Sequence, residues 1–95
     1  MKQIKEFPNY LIDESGNIFS NKSTRQINTF IDGTHGLKKV TLFKNGRPYI
    51  RLVHRLVAEA FIPKITGTIV VHKDNNKLNN HYSNLEWQKK KIKIS

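Results

Sequence analysis

Asn45 and Gly46 stand between two β-prone runs, Leu37 to Phe43 and Pro48 to Val53. An Asn-Gly pair accepts the two positive φ angles of a tight hairpin turn, so Lys44 to Arg47 is read as the connection of an antiparallel hairpin. The period changes at once: in HRLVAEAF and the residue before it, Val53, Leu56, Val57, Ala60 and Phe61 recur at helical spacing until Pro63 stops the pattern. A short amphipathic helix over residues 54 to 61 is expected to pack on the hairpin.

The remaining elements are short. Tyr10 to Ile12 and Asn17 to Ser20 flank Asp13, Glu14, Ser15 and Gly16, a strand, turn, strand pattern with glycine available for a positive φ. Arg25 to Phe30 alternates as an edge strand would, and a loop holding Gly33 and Gly36 follows. Thr68 to Val71 is β-branched and leads straight into His72. Four of the next eight residues are Asn, which is loop composition, and Leu85 and Trp87 then alternate with Glu86 and Gln88 as a second strand. No Pro/Gly/Ser-rich linker divides the chain, so one core is expected, with a strand and hairpin module over 1–50 and the helix plus the His72 segment over 51–95. The fold class predicted is α+β, an antiparallel hairpin-rich sheet with one short helix.

Charge narrows the partner. Seventeen Lys and Arg against seven Asp and Glu leave a net charge of +10, which favours a polyanion and makes nucleic acid the leading candidate. The chain has no cysteine, so any metal must take nitrogen or oxygen ligands. No apolar run reaches the length of a signal peptide or a membrane span, and a cytosolic setting is expected.

His72 lies twelve positions before Asn84 in VVHKDNNKLNNHYSNLEW, an Asn-rich loop closed by NLEW, and VHRLVAEAFIP precedes it. Together these segments resemble the HNH nucleases, in particular the catalytic domain of phage-type homing endonucleases, whose core is a ββα-metal motif. FPNYLIDESGNIFSN is similar to the small N-terminal module often joined to that domain. Phosphodiester hydrolysis needs an attacking water, a base, and a cation beside the leaving oxygen. The resemblance implies that His72 is the base and that Asn84 holds the loop and orients it. It also implies a Mg²⁺ or Mn²⁺ ion held by an acid just before the base and by an Asn or His on a following helix.

Both ligand positions depart from that pattern. Val71 stands where the acid belongs, and Lys93, nine positions after Asn84, stands where the helical ligand belongs. Valine has no lone pair to offer, and a protonated lysine repels a cation. Asp74 shares a face with His72 if the strand continues, and is the one candidate oxygen ligand. The closing helix lacks the usual Thr or Ser start, and Lys89, Lys90, Lys91 and Lys93 would crowd its positive end, so a short or missing helix is expected.

Three functions follow. The first is an impaired nuclease relative, phage-borne, that binds DNA or another nucleic acid through Lys38, Lys39, Arg47, Arg51, Arg55, Lys73, Lys77, Lys89, Lys90 and Lys91 and needs no cofactor. The second is a protein-binding inhibitor of a host nucleic-acid-binding defence complex. The third is an active nickase with unorthodox ligands. His54 is expected to be a capping or core-edge histidine, Trp87 a core residue, and His35 and His81 loop residues. No heptad or apolar patch supports a dimer.

Overall fold

The computed structural model describes residues 1–64 and 69–89. Over these the chain forms three small antiparallel sheets gathered around one helix. In the first sheet β1 (Lys2–Gln3), β2 (Tyr10–Ile12), β3 (Ile18–Ser20) and β4 (Gln26–Ile27) lie in sequence order. β5 (Thr29–Ile31), β6 (Lys38–Lys44) and β7 (Arg47–Leu52) form the second, and β8 (Ile69–His72) with β9 (Leu85–Gln88) the third. The pair Lys2–Gln3 was too short and too polar to register as a strand in the sequence.

The β6–β7 hairpin forms as its turn residues require. Asn45 has φ 54° and Gly46 φ 76°, the two left-handed residues of a turn whose twist matches the strands it joins. Register runs from Lys44 opposite Arg47 to Lys39 opposite Leu52. One side of this ribbon is inward, with Val40 and Leu42 fully buried. The other carries Phe43, Pro48 and Ile50, all exposed, beside Phe30 of β5, an apolar strip where none was expected.

The expected single edge strand from Arg25 to Phe30 is instead two strands in different sheets. β4 pairs with β3, while β5 pairs with β6. Asn28 lies between them. A strand of alternating pattern shows which residues face inward, but not that its two halves find separate partners.

Helix α1 (Val53–Phe61) starts directly from the end of β7 and stops at Ile62, whose backbone is extended ahead of Pro63. Val53, His54, Leu56, Val57 and Ala58 are buried. Each sheet gives the helix something to bury against: Ile12 and Ile18 from the first, Val40 and Leu42 from the second, Leu85 from the third. The N-terminal strands are therefore built into the same core as the His72 segment. Arg51 adds a lateral stitch, with its guanidinium over the rings of Phe7 and Tyr49 and paired to Glu6 at 2.7 Å. No helix among the described residues is long and apolar enough to cross a membrane.

Candidate functional site

His72 is the last residue of β8, opposite Leu85 of β9. Strand alternation puts His72 and Val70 on the side of buried Leu85 and Trp87, and turns Val71 to the other side, across from exposed Glu86. The His72 ring thereby meets His54 of α1, with ring centroids 4.9 Å apart. Its Nε2 lies 2.7 Å from Oδ1 of Asn80, a residue almost wholly buried.

The role expected of Asn84 is thus divided. Among the described residues it is Asn80, not Asn84, that reaches the imidazole, while Asn84 holds the loop. Its backbone carbonyl accepts from Lys73 N at 2.8 Å, its Oδ1 from Asp74 N at 3.2 Å, and its Nδ2 donates to Asn79 O and Asp74 Oδ1, both at 2.9 Å. Asn75, at φ 61°, makes the turn that an asparagine tolerates better than most residues.

Asp74 lies beyond the end of β8. The strand ends at His72, and the Asp74 carboxylate is turned into the loop. Oδ1 accepts from Asn76 N at 2.8 Å as well as from Asn84, and Oδ2 accepts from Asn79 Nδ2 at 3.0 Å. These donors, that from Asn79 foremost, hold the carboxyl below the usual carboxylate range. A carboxylate already drawn on by three donors is a weaker cation ligand than a free one. Together with the apolar Val71, this leaves a donor set that does not fit a Mg²⁺ or Mn²⁺ ion, each of which asks for several oxygen donors. Among the described residues no three His, Asp or Glu side chains converge on a metal position. Lys93 and the closing helix, with Lys90 and Lys91, lie outside the described residues.

His54 does not cap the helix: the N-cap is Leu52, without a side-chain bond, and His54 is buried in the second position. Burial, and then the neighbouring His72 and Arg55, push its pKa down from 6.5 to about 4. A histidine kept neutral by the fold takes up a proton more readily when unfolded, so its contribution to stability is intact above pH 6.5 and is lost as pH falls toward about 4. Urea melts at pH 7 and pH 4.5 are expected to differ by roughly 2–3 kcal/mol more in the wild type than in His54→Phe. Equal pH dependence in the two proteins would contradict a neutral buried His54.

His81 caps the 3-10 turn Tyr82–Asn84, accepting from Ser83 N, and His35 is a loop residue beside Asp32. Trp87 is buried, as expected, and its Nε1 donates to Ile62 O. The expected phosphate contacts split into two sets. Lys39 pairs with Asp32, Arg51 with Glu6, Arg55 with Glu59, and Lys77 donates to the carbonyl of His35. Lys38, Arg47, Lys73 and Lys89 make no ion pair among the described residues. Asn80 and the approach of His54 were missed in the sequence. The second Asn of the Asn79-Asn80 pair, eight residues after His72, was the available signal for the former.

A strand ending on a half-buried histidine, an Asn-stapled loop and a returning strand form the ββ part of a nuclease motif. Residues 51–93 match the family model described as HNH endonuclease, and this segment belongs to that family. It is 38% identical over 97 residues to the DNA endonuclease I-HmuI of Bacillus phage SP01, covering 98% of this chain and 54% of that protein. It is 46% identical over 88 residues to YosQ, an SPbeta prophage-derived HNH homing endonuclease of Bacillus subtilis, covering 90% of this chain and 49% of that protein. It is 39% identical over 88 residues to the HNH endonuclease L247 of Acanthamoeba polyphaga mimivirus, covering 90% and 22%. A solved structure, that of DNA binding and cleavage by I-HmuI, superimposes with a TM-score of 0.83 at 37% identity, covering 93% of this chain and 51% of that one. The chain thus spans about half, or less, of the length of these relatives.

Proposed function

We propose that this chain binds DNA on an HNH scaffold and is impaired in cutting it. The observation that carries the reading is Val71, an apolar side chain immediately before the base His72. Asp74, the acid in the loop, is a poor substitute because three donors that close that loop already draw on its carboxylate. DNA as the partner is supported by the kinship with I-HmuI, which binds and cleaves DNA, and by a charge of +10. A divalent ion is not needed for this binding, which uses lysine and arginine against phosphate.

Without an ion beside the leaving oxygen, a base alone leaves most of the barrier in place. Incubation of the protein with supercoiled plasmid and Mg²⁺ or Mn²⁺, beside His72→Ala, tests this directly. The expected result is a band shift with both proteins and no nicking above background. Metal-dependent nicking that disappears in His72→Ala would overturn the impaired reading and establish a nickase with other ligands.

A further inference from the structure

The metal half of the site is altered, but the base half is assembled with some care. Asn80 is 4% exposed, Oδ1 meets Nε2 of His72 at 2.7 Å, and Nδ2 is buried with no hydrogen-bond partner among the described residues. Native folds rarely leave a buried amide half-satisfied, since the unpaired group stays desolvated without return. Something must hold Asn80 in place against that cost.

The holder is the turn between β2 and β3. Gly16 has φ +89°, and a Cβ at this position would lie 2.8 Å from Val53 Cγ1 and 3.5 Å from Cβ of Asn80. The carbonyl of Glu14 in the same turn accepts from Tyr82 N at 2.9 Å, two residues beyond Asn80. Asp13 ties the turn itself, its Oδ1 accepting from Ser15 N and Asn17 N at 2.9 Å each. The N-terminal module thus closes over the Asn80 side of the His72 loop, with no room at Gly16 for a side chain.

We propose that Asn80 is the positioning residue of this site: it fixes His72 with its proton on Nε2 and its lone pair on Nδ1, and is itself clamped by the N-terminal turn at Gly16. A carbonyl oxygen only accepts, so the nitrogen facing it must carry the proton. Nδ1, which makes no hydrogen bond among the described residues, is then the nitrogen able to take a proton from water. The reverse amide orientation would leave a buried oxygen unpaired instead and put the His72 proton on Nδ1. This deepens the reading of His72 as the family base, and it holds whether or not cutting survives.

The test is nuclear magnetic resonance of the ¹⁵N-histidine-labelled full chain, with no DNA or metal. The wild type is expected to show a resolved Nε2 proton on His72 that exchanges slowly with water. Asn80→Ala removes the acceptor, and the resonance is expected to be lost to exchange at least about tenfold faster. Asn80→Asp keeps an acceptor of the same size and is expected to retain it, an outcome that mere packing would not distinguish from the alanine variant. Gly16→Ala is expected to lose it as well, with the amide spectrum still dispersed.

An Nδ1–H tautomer in the wild type, or an Nε2 proton unchanged in Asn80→Ala, would overturn the assignment. An unchanged resonance in Gly16→Ala would overturn the clamp. If the alanine variants do not fold, the wild-type tautomer and the aspartate variant still decide the assignment. Plasmid nicking by the wild type would sink the impaired-nuclease reading without touching this one.

Discussion

Val71→Asp combined with Lys93→Asn is expected to convert the chain into a metal-dependent nickase, with plasmid nicking in Mn²⁺ at least about 100-fold above the unsubstituted protein. A 100-fold gain corresponds to about 2.7 kcal/mol of barrier, well within what a cation contributes by neutralising charge on a phosphoryl oxygen. The substitution puts an acid and an amide oxygen at the two positions where the family resemblance calls for them, beside His72, the proposed base. Adding His72→Ala should return nicking to background.

Val71 also has a cross-strand partner that sharpens this test. It pairs with Glu86, so an aspartate at 71 arrives directly across from a carboxylate. Like charges facing one another on paired strands repel, and a cation between them relieves the repulsion. The doubly substituted protein should therefore melt lower than the wild type in chelator and recover in Mn²⁺, with binding visible by calorimetry. Mn²⁺ binding without nicking would mean that the base half is disabled too. Neither binding nor nicking would mean that the two positions are not where a ligand acts.

The second large effect expected is on salt. Contact with about five phosphates gives log affinity a slope of −4 to −5 against log salt, a loss of roughly 10²–10³-fold between 50 and 200 mM. The ion pairs decide which cations should carry that slope. Lys38, Arg47 and Lys73 make no ion pair among the described residues, whereas Arg51 is already held by Glu6 and stacked on Phe7 and Tyr49. Replacing the first three with alanine is expected to make the slope shallower by roughly two to three units. Arg51→Ala should instead lower stability through its lost packing and change the slope less. Fluorescence anisotropy on a labelled duplex over a salt series reads all of this. A flat response in the wild type would remove the claim that DNA is bound through charge.

Local chemistry was legible in the sequence wherever it was sufficient. Asn45-Gly46 dictates a turn on its own, and α1 announces itself because its buried residues recur along a single segment. The split at Asn28 was not legible, since nothing in the pattern from Arg25 to Phe30 says that β4 and β5 choose different sheets. The site divides in the same way. His72 and the loop around Asn84 were legible through the family resemblance, which also marks Val71 as standing where it calls for an acid.

Asn80 could not be singled out among four neighbouring asparagines, because its difference is tertiary: Gly16, sixty-four residues upstream, leaves just enough space for it. His54 was read as a capping or core-edge histidine because it opens the helix. The close passage of α1 past β8 makes it a buried neighbour of His72 instead.

The closed ring around Asp74 bears on how such a chain could have changed. In many small metal sites the ion is itself the tie that gathers the loop, so losing a ligand costs the fold. Here Asn76, Asn79 and Asn84 gather the loop on a carboxylate belonging to the chain, and the strands on either side are paired independently of any ion. At this point the loop is closed by the chain's own groups. Selection can act on the ligands without acting on the scaffold, and a nuclease frame built this way can lose its ion and keep its shape.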